Sequence, residues 1–300
     1  MTDEVETLCA GQAEPEGQER APGNRASKDR SQFVRVLSKC VGEARINVDS
    51  SVLVVGGMQE DAEMLRRCGF HRITLSNISG VSGDPDEPNS LPIIAVDAEN
   101  ILLPDNSYDI VFIHEVIHHC RSPHRALCEL LRVAKRQVFM MEPNDSAFMR
   151  LLCRMRLSFP FELAAVVDND YIRGGVRNTQ IPNFIYRWNE REVYKLVCSY
   201  LAEYAFHVYA DPYWEFNADE KELAYRKQTR IGLITGLIGA RNFIRILRGL
   251  QGILNHVPFF RRQGNKFFCC IQKTDELRPW LVRENDGEIV FDRRFQSKQP

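Results

Sequence analysis

Short, continuous apolar runs alternate with amphipathic stretches through the first half of the chain, and each run is closed by a polar or turn-forming residue. Residues 51–55 (SVLVV) run into Gly56 and Gly57, and apolar positions at helical spacing follow to Cys68. Residues 73–75 end at Ser76 and Asn77, residues 93–96 end on Asp97, and residues 110–113 end on His114. Residues 138–141 close on Glu142 and Pro143. Unbroken rather than alternating apolar runs predict strands buried on both faces, as in a parallel sheet. Ser122 and Pro123 form a helix start, a serine cap followed by a proline whose missing N–H costs nothing there. Leu127, Leu130, Leu131 and Ala134 then line one helical face. Strand, helix and strand with short connections predict an α/β fold with right-handed crossovers. Ahead of the first strand, Phe33, Val34, Val36, Leu37 and Val41 predict an amphipathic helix.

Past Pro143 the pattern changes. Residues 146–166 read as helical, with Phe148, Leu151, Leu152 and Met155 on one face and Pro160 as a break. Residues 171–188 are irregular, with two adjacent glycines, several aromatics and three arginines. Asn189 and Glu192 form a capping pair for a helix carrying Val193, Leu196, Val197, Tyr200 and Leu201. Residues 205–209 and 266–272 are the last two expected strands, and 280–291 a hairpin turning at Asp286 and Gly287. Residues 231–257 are apolar but carry Arg241, Arg245 and Arg248. Core packing is the first reading of that stretch; a helical lid and a weak membrane-surface contact are the others.

Composition narrows the function classes. A formal net charge of −1 gives no general attraction to nucleic acid, so none is expected as partner. Nine cysteines lack metal or disulfide spacing; most, including Cys40, Cys68, Cys128 and Cys198, sit in apolar patterns. That usage, with an acidic, polar N-terminal segment, leads to the expectation of a cytoplasmic protein. The expected organisation is a disordered segment over 1–28, a core over 29–143 and a helical and loop insertion on the substrate side over 144–202. The end of the sheet with a second helical insertion (203–275) and a tail with a hairpin (276–300) complete it.

One stretch carries more than fold. Asp97, Ala98 and Glu99 lead through Pro104, Asp105, Ser107, Tyr108 and Asp109 to Val111 and Phe112, then to Glu115, Val116, His118 and His119. This resembles the class I S-adenosylmethionine-dependent methyltransferases of the small-molecule type. The resemblance implies a Rossmann-like sheet, mostly parallel with an antiparallel last strand, carrying helical insertions. It implies S-adenosylmethionine as cofactor and O- or C-methylation of a small molecule. By position in the motif, Gly56, Gly57, Asn77, Asp97, Ala98, His114 and Glu115 are the expected cofactor contacts, with Asp97 on the adenine side. The first motif departs from the family: Val54 stands at the acidic position, Met58 and Glu60 stand at glycine positions, and Asn77 replaces the ribose-binding acid.

His118 and His119 are the candidates for a general base, imidazole titrating near working pH. Arg173, Arg177, Tyr186, Arg187 and Trp188 are the candidate substrate residues, because loops beyond the carboxyl ends of strands set specificity. The run HEVIH (114–118) has the letters of a zinc-protease motif. That chemistry needs both histidines on one helical face, whereas His114 ends a strand, so no metal site is expected. The competing function class is a methyltransferase fold that has lost catalysis and serves as a binding or scaffold protein.

Overall fold

The computed structural model describes residues 31–43, 46–80, 91–216, 223 and 230–298. The segment 1–28 lies outside them. Helix α1 (Ser31–Gly42) precedes strand β1 (Val52–Val55), α2 (Gln59–Arg67), β2 (Ile73–Asn77) and β3 (Ile93–Ala95). Then come β4 (Tyr108–His114), a 3₁₀ turn (Ile117–His119), α3 (Pro123–Val133) and β5 (Ala134–Pro143). Three helices, α4 (Ala147–Arg154), α5 (Leu163–Val167) and α6 (Glu190–Tyr200), lead to β6 (Tyr204–Tyr213). A second helical insertion, α7 (Arg230–Ile238), α8 (Ala240–His256) and α9 (Pro258–Arg261), precedes β7 (Lys266–Leu277). Strands β8 (Leu281–Arg283) and β9 (Ile289–Phe291) form the expected terminal hairpin, with Gly287 in the left-handed region (φ 91°).

The seven-stranded sheet has the order β3-β2-β1-β4-β5-β7-β6, parallel except for β7, which runs antiparallel to both neighbours. Successive residues of the central strands feed opposite faces. Leu53, Val55, Val111, Ile113, Val138 and Met140 pack on one side with α3 and α6. Val52, Val54, Ile110, Phe112, Phe139 and Met141 pack on the other with α1 and α2. Both faces are covered, which is why these strands read as unbroken apolar runs.

Three expectations need correction. Ala134 is not on the helix face but begins β5, because α3 ends at Val133. The break expected at Pro160 within 146–166 is wider than one residue: the two short helices it separates end at Arg154 and resume at Leu163. The third is larger: the apolar stretch 231–257 does not pack into the core. Ile231 alone is buried in α7, and α8 has no buried residue. No helix among the described residues is long and apolar enough to cross a membrane.

Candidate active site

In a sheet of this kind ligands meet the carboxyl ends of the strands, and most of the residues singled out above gather there. At the end of β1, Gly56 turns the chain with φ 70°, a conformation open to glycine. A Cβ at Gly56 would meet Val116 Cγ2 at 2.5 Å, and one at Gly57 would run into the Val54 side chain. Val54 is fully buried against this turn, in the place of the family's acid; a carboxylate there would be desolvated at a cost of several kcal/mol. The space over the glycine turn is thus filled by two valines of the chain itself.

Asp61, in the first turn of α2, is buried. Its Oδ2 accepts from the Met58 N–H at 2.9 Å, closing the helix start, and its Oδ1 accepts from His114 Nδ1 at 3.2 Å. Glu115 follows in a left-handed conformation (φ 53°) and is ion-paired with Lys266 at the start of β7. Burial pulls the Lys266 ammonium down to about 8. At the end of β2, Asn77 Oδ1 accepts from Ser79 N, Ser79 Oγ and Gly80 N at 3.0, 2.9 and 2.7 Å, folding its own loop.

Asp97, just beyond β3, keeps its side chain 26% exposed. Its Oδ1 accepts from the Glu99 N–H at 2.9 Å, and its Oδ2 accepts from Arg177 Nη2 at 2.6 Å. Ala98 is buried beside it. Glu99 is also buried, and accepts from the N–H groups of Arg121 and Ser122 at the start of α3. The motif residues Asp97 and Glu99 therefore divide the work: one carboxylate faces the cleft and the other anchors a helix.

Two glutamates that the sequence did not mark organise the His118–His119 turn. Glu142, fully buried at the end of β5, accepts from the Val116 and Ile117 N–H groups at 2.9 Å each and from His118 Nδ1 at 2.6 Å. Glu162, at the start of α5, accepts from His118 Nε2 at 3.2 Å and from Asn183 Nδ2 at 3.2 Å. Burial alone would lower the His118 pKa, but the Glu142 carboxylate outweighs it and raises His118 to about 10. Glu162 shows the converse: burial pushes it up, and the His118 hydrogen bond and charge bring it down to about 2. His118 is therefore an imidazolium clamped between two carboxylates, with no lone pair to offer. His119 differs: burial and the neighbouring His118 cation lower its pKa, so it is neutral at pH 7. Its Nδ1 lies 3.4 Å from the Gly175 carbonyl and its Nε2 3.5 Å from Glu162 Oε2, so the single proton of the neutral ring is shared out between two acceptors.

His118, His119 and Glu162 each bring a ligating atom within 4.8 Å of the others. The two HEVIH histidines do not act together, since His114 pairs with Asp61 on α2 and His118 with Glu142 on β5.

The candidate substrate residues separate into two groups. Arg177, left-handed at φ 51°, reaches back to Asp97, and the neighbouring Gly175 carbonyl meets His119. The others hold the insertion together. Arg173 bonds Asn169 at 3.3 Å, and Arg187 bonds the Phe159 carbonyl at 3.0 Å. Tyr186 donates to Glu192, and burial raises its phenol above the ordinary range. Trp188 is fully buried; its backbone N–H donates to the Pro143 carbonyl at 2.8 Å and its backbone carbonyl accepts from Asp145 N at 2.7 Å, tying the insertion to the end of β5.

The nucleoside half of the site carries the residue types that S-adenosylmethionine calls for, a carboxylate at the end of β3 and an amide at the end of β2, but Asp97 is paired with Arg177 and Asn77 Oδ1 with its own loop. The methionine half offers no such set at the glycine turn, where Val116 and Val54 fill the cradle.

Residues 57–141 match a family model described as a methyltransferase domain. No curated protein matches the chain. Among solved structures, a methyltransferase of Thermotoga maritima, described as a possible histamine N-methyltransferase, is 12% identical with a TM-score of 0.43, over 82% of this chain and 94% of that one. The magnesium protoporphyrin IX methyltransferase of Synechocystis, solved with bound SAH, is 16% identical with a TM-score of 0.42, over 68% and 85%. A Bacillus halodurans protein described as a putative methyltransferase is 12% identical with a TM-score of 0.39, over 79% and 96%. The matched stretch 57–141 runs from the glycine turn after β1 to the end of β5, so what this chain shares with a methyltransferase domain is the part of the sheet that carries the candidate site.

Proposed function

We propose that this chain transfers a methyl group from S-adenosylmethionine to an oxygen or carbon of a small-molecule acceptor. The observation that supports this most is the convergence of the Asp97 carboxylate and the neutral His119 imidazole under one insertion. When bound, S-adenosylmethionine supplies the electrophilic methyl group. Asp97 and Ala98 would hold its adenine and Asn77 its ribose hydroxyls. The chain then has to position the acceptor, exclude water and handle one proton. His119 is the group to take that proton, because burial, helped by the positive charge of His118, keeps its imidazole neutral at pH 7. Glu142 and Glu162 hold His118 in place from two sides.

A second reading, a degenerate fold serving as a binding or scaffold protein, is favoured by the valine-filled glycine turn and by the neutralisation of Asp97 by Arg177. Calorimetric titration with S-adenosylmethionine and with S-adenosylhomocysteine separates the two. Loss of a hydrogen bond to a charged group is worth about 1.5–3 kcal/mol, so Asp97→Ala is expected to weaken binding roughly 10- to 100-fold. Arg177→Ala, which releases Asp97, is expected to tighten it. Binding of neither ligand, even to Arg177→Ala, would refute the enzyme reading and favour the scaffold. Once an acceptor is found, His119→Ala is expected to lower kcat by about 10²–10⁴ without changing affinity for S-adenosylhomocysteine.

A further inference from the structure

We propose that the second helical insertion, α7 to α9, docks this protein on an anionic lipid bilayer. The insertion is amphipathic, yet the sheet does not cover its apolar positions. Leu233 and Leu237 of α7 are 70% and 86% exposed, Ile253 of α8 is 62% exposed, and Phe259 of α9 is 70% exposed. Ile246, Leu250, Ile253 and Val257 follow one another at spacings of four and three residues, which draws a single exposed stripe along α8.

The opposite side of α8 is fixed by polar contacts. Gln251 Oε1 accepts from Phe216 N at 2.7 Å. Asn255 accepts from Trp214 N and donates to the Trp214 carbonyl, both at 2.8 Å. Trp214 Nε1 in turn donates to the Phe260 carbonyl at 2.8 Å. These bonds set the rotation of the helix, so the stripe faces outward by construction. An amphipathic helix held this way is oriented to lie in a membrane interface, and α7–α9 are too short and too charged to cross one.

Charge selects the occupant. From residue 230 to residue 265 the chain carries Arg230, Arg241, Arg245, Arg248, Arg261 and Arg262 and neither Asp nor Glu, within a molecule of net charge −1. Arg261 is turned inward on Asp211. Both Arg245 and Arg248 of α8 are exposed; at 3.6 residues per turn Arg245 lies about 110° from the middle of the apolar stripe and Arg248 about 170°, on the polar side. Each basic residue near an anionic surface adds about 1 kcal/mol, roughly a fivefold gain in affinity. A second copy of the chain is a poor occupant, because a two-fold contact through this face would set arginines against arginines. The insertion leaves the sheet at the end of β6 and returns at the start of β7, where Tyr213, Lys266 and Pro143 are in register. That is the end carrying Glu115, Glu142 and His118, so docking there would bring the candidate site toward the lipid.

Flotation of the full chain with vesicles tests this. Binding is expected to phosphatidylcholine vesicles containing phosphatidylglycerol, to fall sharply at high salt, and to be at least tenfold weaker to phosphatidylcholine alone. Leu237→Glu with Ile253→Glu is expected to abolish it. Arg245→Ala is expected to cost roughly fivefold, and Arg248→Ala, on the far side of the helix, less. All of these variants should keep the wild-type melting temperature, since the side chains are exposed. Failure to float with the anionic vesicles would overturn the proposal, as would binding that survives Leu237→Glu with Ile253→Glu. A dimer in sedimentation analysis that Leu237→Glu dissociates would also overturn it, assigning the face to a second copy.

Discussion

Glu142 and His118 sit where water does not reach, and between them they define the turn from which the candidate base projects. One Glu142 oxygen takes two backbone N–H groups and the other takes the imidazolium. Removing one member of a buried pair leaves the other uncompensated, at about 3–5 kcal/mol. Glu142→Ala is therefore expected to lower stability by that amount in denaturant unfolding, whereas Glu99→Ala, which loses a helix-start anchor, should cost about 1–2 kcal/mol. The sequence showed His118 and Asp97 but not this arrangement. Asp97 stands in a local motif that its neighbours identify. Glu142 carries no local signal beyond ending a strand, and Glu162 lies 44 residues from the histidine it meets.

At the scale of elements, the strands were legible because burial on both faces leaves unbroken apolar runs, and α3 because its cap and first proline are local chemistry. The insertion between β5 and β6 was legible only as irregular. Arg187 and Trp188 looked like substrate contacts, being a cation and an aromatic on a loop. The chain path makes them fasteners instead: Arg187 closes on the Phe159 carbonyl and Trp188 on the end of β5. Truncating a buried tryptophan costs about 3–5 kcal/mol. Trp188→Ala is accordingly expected to loosen the insertion, raising amide exchange over residues 158–188 before it affects β1, β4 and β5. The α8 stripe shows the converse limit: a period reveals that a helix has an apolar face but not what covers it.

For the whole molecule, the clamped histidine sets a pH window. His118 has its pKa raised from 6.5 to about 10, so its contribution to stability is full below pH 6.5 and declines as pH rises toward 10. Glu162 has its pKa lowered from 4.5 to about 2, so its contribution is full above pH 4.5 and declines as pH falls toward 2. These two groups give a stability plateau between pH 4.5 and 6.5. Melting temperatures across pH should show it, and His118→Gln should flatten the alkaline limb. An alkaline limb unchanged in that variant would remove His118 as its source.

By itself the sequence determined the α/β class, the positions of the central strands, the methyltransferase-like motif and the acid at Asp97. All of these rest on periods, caps and motifs that a few neighbouring residues carry. Tertiary structure alone decided that Arg177 closes on Asp97 across 80 residues, that His118 is charged while His119 is neutral, and that the apolar stripe of α8 faces outward. Each depends on which distant groups the chain path brings within a few ångströms, and neither spacing nor composition encodes that distance.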